Sequence, residues 1–300
     1  MQLSPVSFRD SLREGMLSVL WRQWSALGVA THIASEDRYS VDLEALLVAT
    51  RALAGRDRRL PTLAGEWLKA NNGMVMTARL ERMQRHLDGL AEQHRTELVR
   101  EESGHLWELP PAPSHRPSKR VASPPSAGPA TSQITLRNLF GINARADILL
   151  YFLSGGTNNS AGIARETWFD QKAVYRVLES WSKAGICTRP GKAAPAGYRL
   201  LQVQEWLALF GLKRPMRRVN WGSSLFPLLI ILQAASSPPR SGDSYLLSSL
   251  LRDLHVELAS AALPWNVSMP HPRSSPGEEY FRPATGAVLA LISAMAGEQD

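Results

Sequence analysis

The chain has 300 residues, a net charge of +7 and a pI of about 9.8. Hydrophobic residues make up 44% and charged residues 20%, which excludes a wholly disordered chain, and the length suggests two or three domains. The positive charge favours polyanionic partners. A single cysteine, Cys187, excludes an intramolecular disulfide framework and a cysteine-cluster zinc site. We expect it to be a small buried hydrophobe rather than a redox sensor.

The first hundred residues show the apolar periodicity of helices. Spacings of four and three predict one long amphipathic helix from the residues Phe8, Leu12, Met16, Leu20, Trp24 and Leu27. Further helices are predicted over 42–54, 60–70 and 77–95. Their succession leaves two interpretations open: a second helix-turn-helix, or a helix whose Arg79, Arg82 and Arg85 face solvent. Asp42 and Glu44, two positions apart, are expected to point to different helix faces.

Residues 109–133 are predicted to form a linker. Seven prolines are interleaved with serine and alanine, so few side chains are suited to bury a core. The predicted domains are therefore a helical N-terminal domain over 1–108, this linker, a central domain over 134–212 and a helical C-terminal domain over 213–300.

The central segment is predicted to contain three helices and a β-hairpin. Helical runs at 144–153, 160–167 and 171–184 are separated by turns, and short strands at 186–190 and 197–201 enclose a basic loop. Asp170 is suited to cap the third helix, and Gly185 stands where that helix should end. Val174, Leu178 and Trp181 mark its buried side.

The other faces of this third helix carry hydrogen-bond donors near its N-terminal end, namely Gln171, Lys172, Tyr175 and Arg176. Glutamine can pair with adenine, and arginine or lysine with guanine, in the major groove of DNA. The sequence leaves open which face points outward. A basic helix of this kind is also compatible with a solvated surface or with a module that binds protein or RNA.

Residues 160–186 resemble the second and third helices of winged helix-turn-helix transcription factors of the broad MarR/ArsR type. The matching positions are Ile163-Ala164, Phe169, Val174, Arg176, Leu178, Trp181, Gly185 and Ile186. Asp170 stands where these families often have serine or threonine, which are also good helix caps. The resemblance implies DNA binding through residues 171–176. It also implies a wing in which Arg189 and Lys192 contact the DNA backbone or the minor groove.

Beyond the hairpin, the sequence predicts a short helix over 203–212. A basic segment at 213–218 follows, and it either contacts phosphates or is a solvated connector. Apolar helices are predicted over 225–235, 245–262 and 284–296, with a proline-rich irregular stretch before the last. They suggest packing or dimerisation, and they leave a small-molecule effector pocket open.

No pattern in the sequence indicates catalysis. The seven histidines lack metal-ligand spacing, and no phosphate-binding loop, dinucleotide fingerprint or nucleophile elbow occurs, so we expect neither an enzyme nor a bound cofactor or metal. The absence of a signal peptide and of an apolar run of about 20 residues predicts a cytoplasmic protein without a membrane span.

The sequence as a whole predicts a mainly α protein with a helical N-terminal domain, a central winged helix-turn-helix with a small β-hairpin wing, and a helical C-terminal region. We expect a homodimeric transcriptional regulator, acting as a repressor, that binds double-stranded DNA. The alternatives are a winged-helix adaptor that holds a partner protein, or an antitoxin-like component of a defence or toxin–antitoxin operon.

Overall fold

The computed structural model describes residues 3–29, 39–71, 73–98, 128–189, 197–210 and 217–297. These residues form a mainly helical protein, so the predicted fold class is confirmed at that level. The α-helices are α1 (Pro5–Ala26), α2 (Leu43–Ala52), α3 (Arg59–Ala70), α4 (Thr77–Gln93), α5 (Ser132–Phe140), α6 (Ala144–Leu153), α7 (Ser160–Thr167), α8 (Gln171–Lys183), α9 (Val203–Leu209), α10 (Trp221–Ser236), α11 (Ser244–Asp253), α12 (His255–Ala262) and α13 (Phe281–Ala296). Two short 3-10 helices lie at Leu263–Trp265 and Gly277–Tyr280, and strands β1 (Cys187–Thr188) and β2 (Arg199–Leu200) form an antiparallel hairpin.

The described residues build two hydrophobic cores. The larger core contains α1–α4 together with α10–α13, and we call this part the helical body. The smaller core contains α5–α9 and the hairpin, and we call this part the central unit. The predicted N-terminal and C-terminal domains therefore share one core, because α1 packs along α13 and α2 packs against α10. Periodicity reveals that a helix has a buried face, but it does not identify the distant segment that covers that face.

Helix α10 is the centre of the helical body. Every residue from Leu225 to Ala235 is buried, which is typical of a helix enclosed on all sides. Helices α1, α2, α4, α11 and α12 pack around it. This apolar helix is therefore part of the core and is not a surface for dimerisation.

The stripe predicted on the first helix is confirmed as core. Each of its members is 0% exposed, namely Phe8, Leu12, Met16, Leu20, Trp24 and Leu27. A capping box starts the helix, because the Ser4 side chain accepts from the Ser7 amide and the Ser7 side chain accepts from the Ser4 amide. Trp24 and Trp67 then tie α1 to its neighbours by donating to Thr50 Oγ1 and to the Leu27 carbonyl, at 2.9 and 2.8 Å.

Two differences between the predicted and the observed elements affect the packing. The single helix predicted over 245–262 is two helices, because the chain turns at Leu254 (φ −89°, ψ 8°) and so packs both α11 and α12 against α10. The predicted linker extends too far at its C-terminal end: Ser132 and Gln133 belong to α5 and are buried. Gln133 is held there because it accepts from the Leu43 amide at 2.9 Å and donates to Asp147 at 2.7 Å. Most of the predicted linker, residues 109–127, lies outside the described residues.

No helix among the described residues is both long enough and apolar enough to cross a lipid bilayer.

Candidate nucleic-acid interface

Helix α8 has a starting point and a buried side that agree with the prediction, except that Trp181 is only half-buried. Val174 and Leu178, one turn apart, are 0% exposed, and the helix packs against α6 and α7. Asp170 caps it, because its Oδ1 atom accepts from the amides of Lys172 and Ala173 at 2.8 and 3.3 Å. The helix ends just before Gly185, whose φ of 71° is typical of a glycine that terminates a helix.

The opposite side of α8 is exposed, and it carries Gln171, Lys172, Tyr175 and Arg176. Residues four positions apart lie above one another on a helix, so these four side chains form one continuous surface. Lys172 and Arg176 have no carboxylate within ion-pair distance in the part of the chain that the structure describes. Their charges are therefore available to an external anion.

The hairpin adjoins α8. Cys187 pairs with Leu200, and Thr188 pairs with Arg199. Cys187 is 2% exposed, as expected for a small buried hydrophobe. Burial, together with the nearby charge of Glu179, raises the pKa of its thiol to about 11.

Glu179 of α8 connects the helix to the hairpin. It accepts a hydrogen bond from the Tyr198 hydroxyl at 3.3 Å, and its carboxylate lies 3.2 Å from the Arg189 guanidinium. The Arg189 side chain remains 61% exposed, but part of its charge is compensated. Lys192, the other predicted wing contact, lies outside the described residues.

Three further exposed arginines belong to the central unit: Arg145 on α6, Arg165 on α7 and Arg199 on β2. The sequence interpretation did not single them out. Arg199 was detectable in principle, because side chains alternate between the two faces of a strand and its neighbour Leu200 is buried. Arg165 lies on the helix that packs against α8.

A buried ionic cluster joins the central unit to the helical body. From α4, the Arg79 Nη1 atom lies 2.6 Å from Asp42 and 2.5 Å from Glu44. From α5, Arg137 lies 2.6 Å from Glu44 and 3.0 Å from Asp147 of α6. All five side chains are buried. Since α2 and α4 belong to the body while α5 and α6 belong to the central unit, the cluster spans the joint between them.

Two predictions about these residues are wrong. Asp42 and Glu44 converge on one guanidinium instead of pointing apart, because Asp42 is the extended N-cap residue (φ −106°, ψ 103°) and is not inside the helix. Arg79 is 2% exposed and does not face solvent. Its burial is tolerated because two carboxylates compensate its charge.

The pairing keeps these groups ionised. Burial by itself raises the pKa of the Asp42 and Glu44 carboxyl groups, but the neighbouring guanidinium groups outweigh it and hold both pKa values below their usual range. Burial lowers the pKa of Arg79 and Arg137, and here the carboxylates outweigh it and raise both pKa values.

Arg218 places a third positive charge beside the cluster. Together with Asp42, Arg79 and Asp147, it lines a cavity of about 10 Å³, which is roughly the space of one water molecule. Its guanidinium lies 3.6 Å from the Glu166 carboxylate and also donates to the Glu166 carbonyl. Burial lowers the pKa of Arg218, as does the charge of Arg79, while Asp42, Glu166 and Asp147 oppose them. The last residue of the predicted basic connector therefore lies at the joint, where its side chain is only 10% exposed and is paired with Glu166, so its charge is not available to a phosphate.

Trp168 attaches the turn before α8 to the helical body. The residue has a left-handed backbone conformation with φ 61°. Its ring centre lies 5.0 Å from that of His86 and 5.8 Å from that of Phe226, and its Nε1 donates to Asn220 Oδ1 at 2.7 Å. Because Trp168 lies two residues before the cap of α8, these contacts fix the place where α8 begins.

Comparison with family models, curated proteins and solved structures found no match for this chain. Its function is therefore inferred from its own chemistry. That chemistry comprises an exposed helix face with available cations, an adjoining hairpin and a buried joint that holds both in place. Within the described ranges, no group of three or more histidine, cysteine or acidic side chains is arranged to hold a metal ion.

Proposed function

We propose that the central unit is a winged helix-turn-helix that binds double-stranded DNA, with α8 as the recognition helix and the β1–β2 hairpin as the wing. The observation that carries this proposal is the exposed, cation-bearing face of α8 opposite the side on which Val174 and Leu178 are buried. The 13 residues of α8 span about 20 Å, with a diameter of about 10–12 Å. A rod of that size fits the major groove of B-DNA, which is roughly 12 Å wide.

The N-terminal half of α8 supplies the contacts to bases. Gln171 suits the N6 and N7 atoms of adenine, and Arg176 suits the O6 and N7 atoms of guanine. Lys172 and Tyr175 suit bases or adjacent phosphates. This half of a recognition helix is the part that reaches base edges in helix-turn-helix proteins.

The hairpin contributes contacts to the DNA backbone or the minor groove through Arg189 and Lys192. Arg199 joins them as a phosphate contact, because it is exposed and lies opposite Thr188 at the base of the wing. In the free protein, Glu179 holds Arg189 beside α8. A DNA phosphate competes for the same guanidinium when the complex forms.

In this proposal the protein is a cytoplasmic, homodimeric transcriptional repressor. Two copies place two recognition helices on successive half-sites of an inverted repeat, because the symmetry of the DNA site mirrors that of the dimer. Attachment of the central unit to the helical body supports a regulatory role, because the body fixes the start of α8.

A second candidate function is that of a protein-binding adaptor or antitoxin-like component. An exposed apolar group at the C-terminal end of α5 favours it, since Leu139, Phe140 and Ile142 are 62%, 39% and 37% exposed. Contiguous exposed apolar residues are typical of surfaces that bind other proteins.

The two candidates are separated by selecting duplexes from a random-sequence DNA library and measuring binding to the selected site at several salt concentrations. We expect a preferred sequence and a steep loss of affinity as salt rises. Arg176→Ala should weaken binding by roughly 1–3 kcal/mol. Arg273→Ala, at an exposed position on the helical body, is the matched control and should bind normally. Failure to select any duplex, or equal affinity of the two variants, contradicts the proposal and favours the adaptor.

A further inference from the structure

A second group of arginines lies on the helical body. Arg9 and Arg13 are four residues apart on α1, so they lie on the same face of that helix. Arg56 belongs to the turn between α2 and α3. We call these three residues the arginine cluster. The buried ionic cluster lies at the N-terminal end of α2. The ten residues of that helix place the turn with Arg56 about 15 Å away, at the C-terminal end of α2. The arginine cluster is therefore distinct from the joint.

The turn that carries Arg56 is held against α1 by neighbouring contacts. Trp21 of α1 donates from Nε1 to Asp57 Oδ2 at 3.1 Å. The Arg59 guanidinium lies 5.7 Å from the centre of the Trp21 ring, and the Arg59 amide donates to Asp57 Oδ1 at 2.8 Å. Asp57 is thus occupied by Trp21 and Arg59. The position of Arg56 beside α1 is consequently built into the fold.

Positive charge exceeds negative charge at the arginine cluster. Arg9 lies 2.9 Å from the Asp10 carboxylate, and Arg13 lies 3.7 Å from the same carboxylate and 4.0 Å from Glu14. No carboxylate of the described chain lies within ion-pair distance of Arg56. Partial burial lowers the pKa of Arg56, as do the charges of Arg13 and Arg9, while Asp10 opposes them. Arg56 therefore lies near two other positive charges. The carboxylate that partly offsets them, Asp10, is already shared by Arg9 and Arg13.

We propose that Arg9, Arg13 and Arg56 form a binding site for phosphate groups on the helical body. Arginine is the side chain best suited to such a ligand, because its planar fork matches two phosphate oxygens and its charge persists at every physiological pH. A phosphate carries the negative charge that the arginine cluster lacks. The group belongs either to DNA outside the segment contacted by α8 or to a soluble polyphosphate. The site itself does not depend on the proposed function of α8.

The test uses the full-length protein and sodium tripolyphosphate as the probe, with binding measured by calorimetry and by thermal shift. Arg56→Gln should bind tripolyphosphate about tenfold more weakly, the change expected when one charge-assisted contact is lost. Arg273→Gln, at an exposed position elsewhere on the body, should bind as the unmodified chain does. Without the probe, the Tm of Arg56→Gln should be unchanged or higher, because the substitution removes like-charge repulsion. A loss of binding is then not a loss of folding.

The source of the phosphate is identified with two duplexes that contain the selected site, one of about 15 and one of about 40 base pairs. If the phosphates are those of flanking DNA, Arg56→Gln reduces affinity and salt dependence on the long duplex only. If the ligand is soluble, only tripolyphosphate binding changes. Arg176→Ala should leave tripolyphosphate binding intact, so failure of the α8 proposal is distinguishable from failure of this one. The proposal is overturned if Arg56→Gln and Arg273→Gln bind tripolyphosphate and both duplexes equally.

Discussion

Glu44→Gln tests whether the buried ionic cluster is held together by its ion pairs. Glu44 is 0% exposed and accepts hydrogen bonds from Arg79, Arg137 and the Met76 amide, at 2.5, 2.6 and 2.8 Å. The buried cluster contains three carboxylates (Asp42, Glu44 and Asp147) and two guanidinium groups (Arg79 and Arg137), and Arg218 beside it is paired with Glu166. The substitution keeps the side-chain shape but leaves Arg79 and Arg137 each with one buried ion pair fewer.

Removing one partner of a buried ion pair costs about 3–5 kcal/mol, because the remaining charge stays in a medium that solvates it poorly. We expect Glu44→Gln to lower the free energy of unfolding by that amount, and the Tm by roughly 6–20 °C for a chain of this size. Urea unfolding followed by tryptophan fluorescence and circular dichroism measures the change. A loss below about 0.5 kcal/mol, typical of a surface substitution, would refute the reasoning that buried ion pairs hold the cluster together.

The double variant Glu44→Gln/Arg137→Met is the control, because it removes both partners of one buried ion pair. Its cost should be smaller than the sum of the two single costs, with a coupling of about 0.5–3 kcal/mol between the sites. Additive costs would show that the two groups act independently. They would contradict the contacts of 2.6 and 2.9 Å that Arg137 makes with Glu44.

Acid should weaken the joint in a defined range. The pKa values of Asp42 and Glu44 are lower in the folded chain than in the unfolded one. Their contribution to stability is therefore fully present above the unfolded pKa values, near 4, and is lost as the pH falls through the lower folded values. Unfolding measured between about pH 2 and pH 7 should show this loss in the unmodified chain and a shallower one in Glu44→Gln. Identical pH profiles would contradict it.

Three further predictions concern the central unit. Trp168→Ala should cost roughly 3–5 kcal/mol in urea unfolding, as expected for an aromatic ring removed from a packed site; a cost near zero would mean that the ring does not anchor the turn. Gly197→Ala should displace the hairpin and weaken DNA binding, because a Cβ atom there would lie 2.1 Å from the Asn158 carbonyl carbon; normal affinity would remove the hairpin from the interface. Cys187 should react very slowly with iodoacetamide at pH 7 until urea unfolds the protein, given its burial and a pKa of about 11; rapid labelling of the folded chain would contradict the buried placement.

Sequence reasoning succeeded where structure is determined locally. The predicted ranges of α6 and α7 match the observed helices, and α8 differs by one residue. Each of these helices is capped by an asparagine or aspartate that accepts from a nearby amide, namely Asn143, Asn159 and Asp170. Such signals lie within a few residues of the element they define, so a single sequence contains them. The apolar side of α8 was predictable from its local spacing, whereas the sequence left open which of the other faces points outward.

The parts that could not be predicted depend on residues far apart in the chain. Arg137 and Glu44 are separated by 93 positions, and Trp21 contacts Asp57 across 36. A charged residue at a helical position is normally assigned to solvent, so nothing local marks Arg79 as buried. The shared core of the helical body was missed for the same reason, since α1–α4 precede the central unit in the sequence and α10–α13 follow it.

The shared core also sets the order in which the parts of the protein can be completed during synthesis. Helix α1 is synthesised before α2–α12, and its main neighbour, α13, is synthesised after them, so α1 cannot complete its packing until all of these helices have been made. The central unit has all of its own helices well before that moment. In a nascent chain, the central unit can therefore fold and expose α8 before the helical body that positions this helix is complete.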